Sequence, residues 1–227
     1  MSAPLRLVIF DVDGTLVDSQ GDIVAAMARA FAAVDLAPPP RDEVLGIVGL
    51  SLDVAMPTLR PDLSAAAHAR MAQAYKDAYM QLRADAGVVQ SSPLYPGAMQ
   101  TLQALYALPE VLLGVATGKS RRGLDKLIEG HGLEGYFVTQ QVADFHPSKP
   151  HPSMILQAMA DTGVTPSETV MIGDTSYDME MAAAAGVQGI GVSWGYHPRE
   201  RLGQASRIVE DYADLRAALD QIWSVSA

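Results

Sequence analysis

The 227-residue chain contains no cysteine. That absence removes disulfide frameworks, thiolate zinc sites and cysteine nucleophiles together, and it is compatible with a reducing compartment. Long hydrophobic runs are missing too. No segment approaches membrane-spanning length, and the opening Met1-Ser2-Ala3-Pro4-Leu5-Arg6 lacks the apolar stretch of a signal peptide. The expectation is a soluble, cytoplasmic protein. Positive charge is scarce: 16 Lys and Arg stand against 26 Asp and Glu, a formal charge of −10. With no basic run to create a local exception, that field opposes nucleic-acid backbones and anionic membranes, so neither is an expected partner. Glycine-rich nucleotide motifs are also lacking. The segment Gly114-Val115-Ala116-Thr117-Gly118-Lys119 has three residues between its glycines, where a P-loop needs four. Gly189-Ile190-Gly191 lacks the third glycine of a dinucleotide fingerprint.

What the chain does have is apolar material: 49% of its residues are hydrophobic, enough for a large core without disulfides. Its length suits one large domain or a domain carrying an insertion. The most informative segment is Asp11-Val12-Asp13-Gly14-Thr15, directly after the apolar run Leu7-Val8-Ile9-Phe10. The run reads as a buried strand, and the glycine and polar residues after it as the strand passing into a loop. Two carboxylates one residue apart at such an exit repel each other, and burial makes the repulsion worse. A divalent cation, a lysine, or both would relieve it.

Periodicity divides the rest of the chain in two. From Val17 to about Ser91 no strand is expected. A helix capped by Asp18 or Ser19 places Ile23, Met27, Ala30, Phe31 and Val34 at helical spacing, and it stops before Pro38-Pro39-Pro40. Helices are expected over Asp42–Val48, Leu52–Leu59 and Ser64–Ala84, the last with Met71, Tyr75, Tyr79 and Leu82 on one face. The Tyr75/Tyr79 stripe reads as packing within this helical unit. After Pro93 and Pro96 strands and helices alternate: strands at Val111–Ala116, Tyr136–Thr139, Thr169–Ile172 and Gly189–Val192, and helices at Ala98–Leu108, Ser120–Gly130, Pro152–Thr162, Ser176–Ala185 and Asp211–Ile222. Such alternation favours a parallel sheet covered on both faces, with active groups beyond the C-terminal strand ends. The fold class is therefore α/β, a Rossmann-like parallel-sheet core over 1–17 and 92–227 with an all-helical unit inserted at 18–91.

Four strand exits then collect polar residues at one sheet edge: Asp11 and Asp13; Thr117, Gly118 and Lys119; Lys149 between Pro150 and Ser148; and Gly173-Asp174 with Asp178. These four stretches, in this order, resemble the motifs of the haloacid dehalogenase superfamily, in the branch with a helical cap. Within it the chain is most similar to phosphoglycolate-phosphatase-like hydrolases, over essentially its whole length. The resemblance implies that Asp11 attacks phosphorus and that Asp13 protonates the leaving oxygen and later activates water. It implies Mg2+ as cofactor, held by Asp11, the backbone carbonyl of Asp13 and Asp174, with Asp178 either a further ligand or an acceptor orienting a metal-bound water. Thr117 and the Gly118 amide would hold phosphoryl oxygens, and Lys149 would neutralise phosphate and Asp11 together. The implied partner is a small phosphorylated metabolite, with 2-phosphoglycolate the leading candidate; oligomeric state is not legible in the chain.

For phosphoglycolate a cation of the cap would have to meet the carboxylate, and Arg41, Arg60, Arg70 and Lys76 are the candidates. His146 and His151, which flank Lys149, read as loop or rim residues, and Trp194 as an edge-packing aromatic. The rivals are a cap-bearing phosphomutase, a pyrophosphatase and, in a different class, a catalytically idle binding module. Dehalogenation itself fits poorly, because the dehalogenases lack the aspartate that Asp13 supplies.

Overall fold

The computed structural model describes residues 4–225. Strand β1 (Arg6–Phe10) sits at the centre of the sheet because Leu7, Val8, Ile9 and Phe10 have no solvent exposure at all. It is followed by five helices in succession: α1 (Gln20–Ala32), α2 (Arg41–Leu45), α3 (Leu52–Leu59), α4 (Ala65–Ala86) and α5 (Val88–Ser91). Then come α6 (Ala98–Tyr106), β2 (Val111–Thr117), α7 (Arg121–His131), β3 (Phe137–Val142), α8 (Ser153–Thr162), β4 (Thr169–Gly173), α9 (Ser176–Ala185), β5 (Gln188–Val192), β6 (Arg207–Val209) and α10 (Tyr212–Val225). The strands form one parallel sheet of order β3-β2-β1-β4-β5-β6. The order reverses direction at β1, the kind of place where open α/β sheets form a crevice.

Alternation along the strands assigns the two faces. Val8 and Phe10 of β1 point with Leu113, Val115 and Ile172 into one cluster, closed by α6, α7 and α10. Leu7 and Ile9 point the other way, with Met171, into a cluster closed by α8 and α9. Both faces of the central strands are thereby sealed, which is why they read as unbroken apolar runs. A third core lies away from the sheet. Ile23, Met27 and Phe31 of α1 meet Val44, Met56 and Met71, and this gives the inserted helices an apolar centre of their own. The insertion has the character of a helical cap. The two segments that connect it to the sheet run side by side: Val17 bridges Leu94, Asp18 N–H donates to the Pro93 carbonyl (2.9 Å), and Tyr95 N–H donates to that of Leu16 (3.0 Å).

Some elements differ from the sequence-based expectation. The helix expected over Asp42–Val48 ends at Leu45, and residues 46–50 form turns. The short β6 and the single turn α5 were not expected, since three or four residues are too few to show a period. Ser19 stands at the N-cap of α1 without capping it, because its hydroxyl is engaged elsewhere.

The turn at 46–50 lies against the sheet edge. The Gly46 carbonyl accepts from Tyr177 Oη (3.1 Å) and from His197 Nε2 (3.1 Å). The His197 tautomer follows from its neighbour: Nδ1 faces the Ser176 N–H, which can only donate, so Nε2 carries the proton. Ser51 N–H donates to Ser148 Oγ (2.9 Å). Gly118 permits this approach, since a Cβ there would stand 2.7 Å from the Gly49 carbonyl oxygen. Among the described residues no helix is long and apolar enough to cross a membrane.

Candidate active site

The exit of β1 is built as a tight turn. The Val12 carbonyl accepts the amides of Thr15, Leu16 and Val17 (3.3, 2.9 and 3.0 Å). Gly14 takes a φ of +83°, and a Cβ there would lie 2.2 Å from an Asp174 oxygen. Only glycine fits both demands. Trp194, expected as an edge-packing aromatic, packs against Tyr95 and Tyr212 and also donates its indole N–H to the Thr15 carbonyl (3.1 Å), pinning the turn from outside.

This turn and the exit of β4 bring Asp11, Asp174 and Asp178 together, each with an oxygen within 4.8 Å of the others and all three buried. Lys149 is equally buried, its Nζ 2.9 Å from Asp11 Oδ1 and 2.6 Å from Asp178 Oδ1. The other Asp178 oxygen accepts from the Thr175 amide (3.0 Å) and hydroxyl (2.7 Å), forming the capping box of α9. Asp174 accepts from Thr15 Oγ1 (3.1 Å) and the Tyr196 amide (2.7 Å). Asp11 differs: beyond the ion pair with Lys149, neither of its oxygens accepts an aligned hydrogen bond.

Three carboxylates around one ammonium leave an excess of negative charge in a dry place. Burial pushes Asp11 up to about 7; Lys149 opposes the rise and Asp178 adds to it. Asp174 is held well above the ordinary carboxylate range by burial first and then by Asp178 and Asp11. Burial works against the Lys149 ammonium, but Asp11 and Asp178 outweigh it and raise its pKa. The all-oxygen donor set and the unpartnered Asp11 Oδ2 are compatible with a hard divalent cation. Such an ion would bring the charge this cluster lacks.

Asp13 faces another way. Its carboxylate receives Lys119 Nζ at 2.6 and 2.7 Å and the Ser19 hydroxyl. Tyr196 Oη supports Ser19, accepting its N–H at 2.9 Å, and Tyr79 Oη lies 3.2 Å from Lys119 Nζ. Burial opposes the Lys119 charge, yet Asp13 raises its pKa on balance. Thr117, at the end of β2, is buried and its Oγ1 accepts the Lys119 amide (3.2 Å); Ser120 is the residue that caps α7.

Asp11, Asp13, Thr117 and Gly118 share a cavity of about 1130 Å³, whose far wall is the inserted helices. Tyr75 and Tyr79, stacked at 5.9 Å, pack against the core of the inserted helices, as expected, and also line this cavity. Of the expected cap cations, Arg41 binds Gln20 on the surface, Arg60 pairs with Asp62 at 2.7 Å, Arg70 is exposed, and Lys76 reaches the cavity lining. The buried cation of that wall is Arg83, which sequence reasoning missed. It placed Lys119 and Thr15 at strand exits and Ser19 at a helix cap without giving them a part in the site, and it missed Tyr196. Arg83 extends the Tyr75-Tyr79 stripe by four residues, a signal that was available. His146 binds Ser153 and Gln141 (both 2.8 Å), and His151 accepts the Ser153 amide (3.2 Å); both stand apart from the carboxylate cluster.

Comparison with known proteins agrees with this geometry. Residues 8–192 match the model of the family described as haloacid dehalogenase-like hydrolase. "Probable phosphatase IndB" of Dickeya dadantii is 34% identical, over 97% of this chain and 96% of its own length. A phosphoglycolate phosphatase of Salmonella paratyphi A is 30% identical, over 95% of this chain and 92% of its own. Among solved structures, a hydrolase from Pseudomonas syringae superposes with a TM-score of 0.83 at 26% identity, covering 96% of this chain and 99% of that one. A haloacid dehalogenase-like family protein from Streptococcus pneumoniae, at 24% identity, has the same fold with a TM-score of 0.80 over 94% of this chain and 98% of its own. The chain belongs to the haloacid dehalogenase-like hydrolase family.

Proposed function

We propose that this protein is a magnesium-dependent phosphatase that hydrolyses a small phosphomonoester through an aspartyl-phosphate, with 2-phosphoglycolate the first substrate to test. The observation that carries the reading is the state of Asp11: a buried carboxylate with Oδ1 paired to Lys149 and Oδ2 left without a partner, in a cluster short of positive charge, opening on a cavity. Such an oxygen is free to attack. The relatives named as phosphatases support the same chemistry.

Residues 1–17 and 92–227 would form the catalytic core and 18–91 the cap. In the first step an Asp11 oxygen bonds to phosphorus and the P–O bond to the alcohol breaks. Asp13 gives its proton to the departing oxygen. Asp13 then takes a proton from water as that water attacks the phosphoryl group, releasing phosphate and restoring Asp11. Lys149 holds the Asp11 carboxylate in place and offsets phosphoryl charge; Thr117 Oγ1 and the Gly118 amide would donate to phosphoryl oxygens. Asp11, Asp174 and the Asp13 carbonyl would hold Mg2+, which when bound neutralises charge on the phosphoryl oxygens. Asp178, with one oxygen on Lys149 and the other on Thr175, is better placed to hold Lys149 than to coordinate directly. Closure of the cap would exclude bulk water during transfer to Asp11, and the water that releases phosphate would enter once the alcohol has left.

The test is phosphate release from a panel of phosphorylated metabolites, with Mg2+ and with chelator, for the native chain and Asp11→Asn. Magnesium-dependent release that vanishes in the variant is expected. Release unchanged by Asp11→Asn would overturn the assignment.

A further inference from the structure

Arg83 is a buried cation without a counter-ion. Only 9% of it is exposed, and no carboxylate among the described residues lies within ion-pairing distance. Its Nη1 donates to the Gly123 carbonyl (3.0 Å), its Nη2 reaches Tyr79 Oη at 3.5 Å, and its Nε has no partner. A guanidinium kept from water with an unused N–H is costly unless something meets it. The other cations of the cavity do not share this condition: Lys119 is paired with Asp13, Lys126 is exposed and paired with Glu129 (2.6 Å), and Lys76 and Arg122 are exposed.

Its position says what would meet it. The Arg83 guanidinium lies 5.2 Å from the Tyr79 ring centre, and Lys119 Nζ lies 5.1 Å from the same centre. Tyr79 Oη accepts from both Arg83 Nη2 (3.5 Å) and Lys119 Nζ (3.2 Å), so Arg83 lines the cavity one residue removed from Lys119, the partner of Asp13, which would protonate the leaving alcohol. We propose that Arg83 is a specificity-determining residue that receives a second anionic group, a carboxylate or a phosphate, borne by the alcohol portion of the substrate. The inference rests on the phosphatase reading and narrows it to doubly anionic phosphomonoesters. Such a group would supply the guanidinium with the acceptor that the fold withholds.

The rival role for Arg83 is a strut tying α4 to the Gly123 carbonyl of α7, and kinetics separate the two. Phosphate release is measured with 2-phosphoglycolate, with propane-1,3-diol bisphosphate, and with ethyl phosphate, whose tail is uncharged. In the native chain kcat/KM for at least one doubly anionic substrate should exceed that for ethyl phosphate by about tenfold or more, the scale of one charge-assisted contact. Arg83→Met should reduce that ratio by about tenfold, through KM rather than kcat, and Arg83→Lys should recover part of it. The arm that loses more identifies the anion as carboxylate or phosphate. Equal losses on all three substrates would mean a strut and overturn the proposal, as would a native enzyme indifferent to the second charge. If Arg83→Met does not fold, Arg83→Gln and Arg83→Lys carry the same comparison. Release from none of the substrates would instead sink the phosphatase reading, an outcome distinct from release without preference.

Discussion

The two walls of the cavity are built on different principles. On the sheet side, Asp174 stands at the exit of β4, Asp178 in the first turn of α9 and Lys149 in the loop between β3 and α8, and backbone amides, hydroxyls and ion pairs fix their polar atoms. On the inserted side, Tyr75, Tyr79 and Arg83 project from one face of α4 and are held mainly by packing and ring contacts. The first wall cannot adjust without breaking several hydrogen bonds at once, whereas the second can slide by small side-chain movements. Reaction chemistry belongs on the rigid wall and substrate choice on the adaptable one. If that division is right, substitutions on the two walls should fail in different ways.

The largest effect should come from Asp11→Asn. If Asp11 supplies the attacking oxygen as proposed, its loss should lower turnover by at least about 10³-fold. Yet the metal-free variant should melt higher than the native protein, because a buried carboxylate already pushed up to about 7 is removed. Lys149→Met should also abolish activity but with the opposite thermal result. It strands Asp11 and Asp178 without their shared cation, a loss of about 3–5 kcal/mol for a broken buried pair. Phosphate release with a thermal melt reads both. Melting shifts of the same sign would mean that the cluster is not short of positive charge.

The next effect concerns pH and metal together. Unfolded carboxyls ionise near pH 4. Asp11 and Asp174 keep their protons to higher pH in the fold, chiefly through burial. Folded groups with raised acid pKa bind protons more tightly than the unfolded chain, so stability is lost as pH climbs from about 4 through the raised values. A divalent cation binds the ionised carboxylates and should reverse this loss, by about 2.7 kcal/mol at a hundredfold excess over Kd. The rise in Tm on adding Mg2+ should therefore be larger at pH 8 than at pH 5. Equal rises at the two values would place the ion elsewhere.

The walls differ equally in how openly the sequence announces them. Asp11 directly follows an apolar run, and Asp13 and Asp174 adjoin the glycines Gly14 and Gly173 at strand exits, so chain direction and local chemistry point to the same spot. Lys149 is marked by its flanking prolines. Those signals are short-range, and the parallel sheet brings them together by rule. Arg83 lies on a 22-residue helix with Arg70 and Lys76, and which of the three faces the cavity depends on how α1 and α4 pack. Lys119 adjoins Thr117 in sequence but takes its meaning from Asp13, 106 residues away. Ser19 looks like an N-cap because the competing acceptor, Asp13, is invisible to local rules. The short β6 is set by pairing with β5 and has too few residues to declare itself.

The smallest effect should appear where the walls touch. The Gly46 carbonyl accepts from both Tyr177 and His197, so Tyr177→Phe removes one of two donors and leaves the oxygen partnered. A lost neutral hydrogen bond of this kind costs about 0.5–1.5 kcal/mol, and the remaining donor keeps the loss near the lower end. Amide exchange over residues 46–51 should quicken while β1 and β4 stay protected. His197 carries the opposite pH sign from the carboxylate cluster. Burial first, then Arg201, lowers its pKa to about 4, whereas an unfolded histidine titrates near 6.5. The fold therefore loses this contribution as pH falls from about 6.5 towards 4, because the opened chain lets the ring take a proton that Nδ1, accepting the Ser176 amide, refuses in the fold. In Tyr177→Phe the latch depends on His197 alone, so exchange at 46–51 should accelerate more steeply below pH 6 than in the native chain. Parallel pH dependence in both proteins would show that the two donors do not share one carbonyl in solution, and that the inserted wall is held to the sheet by apolar packing.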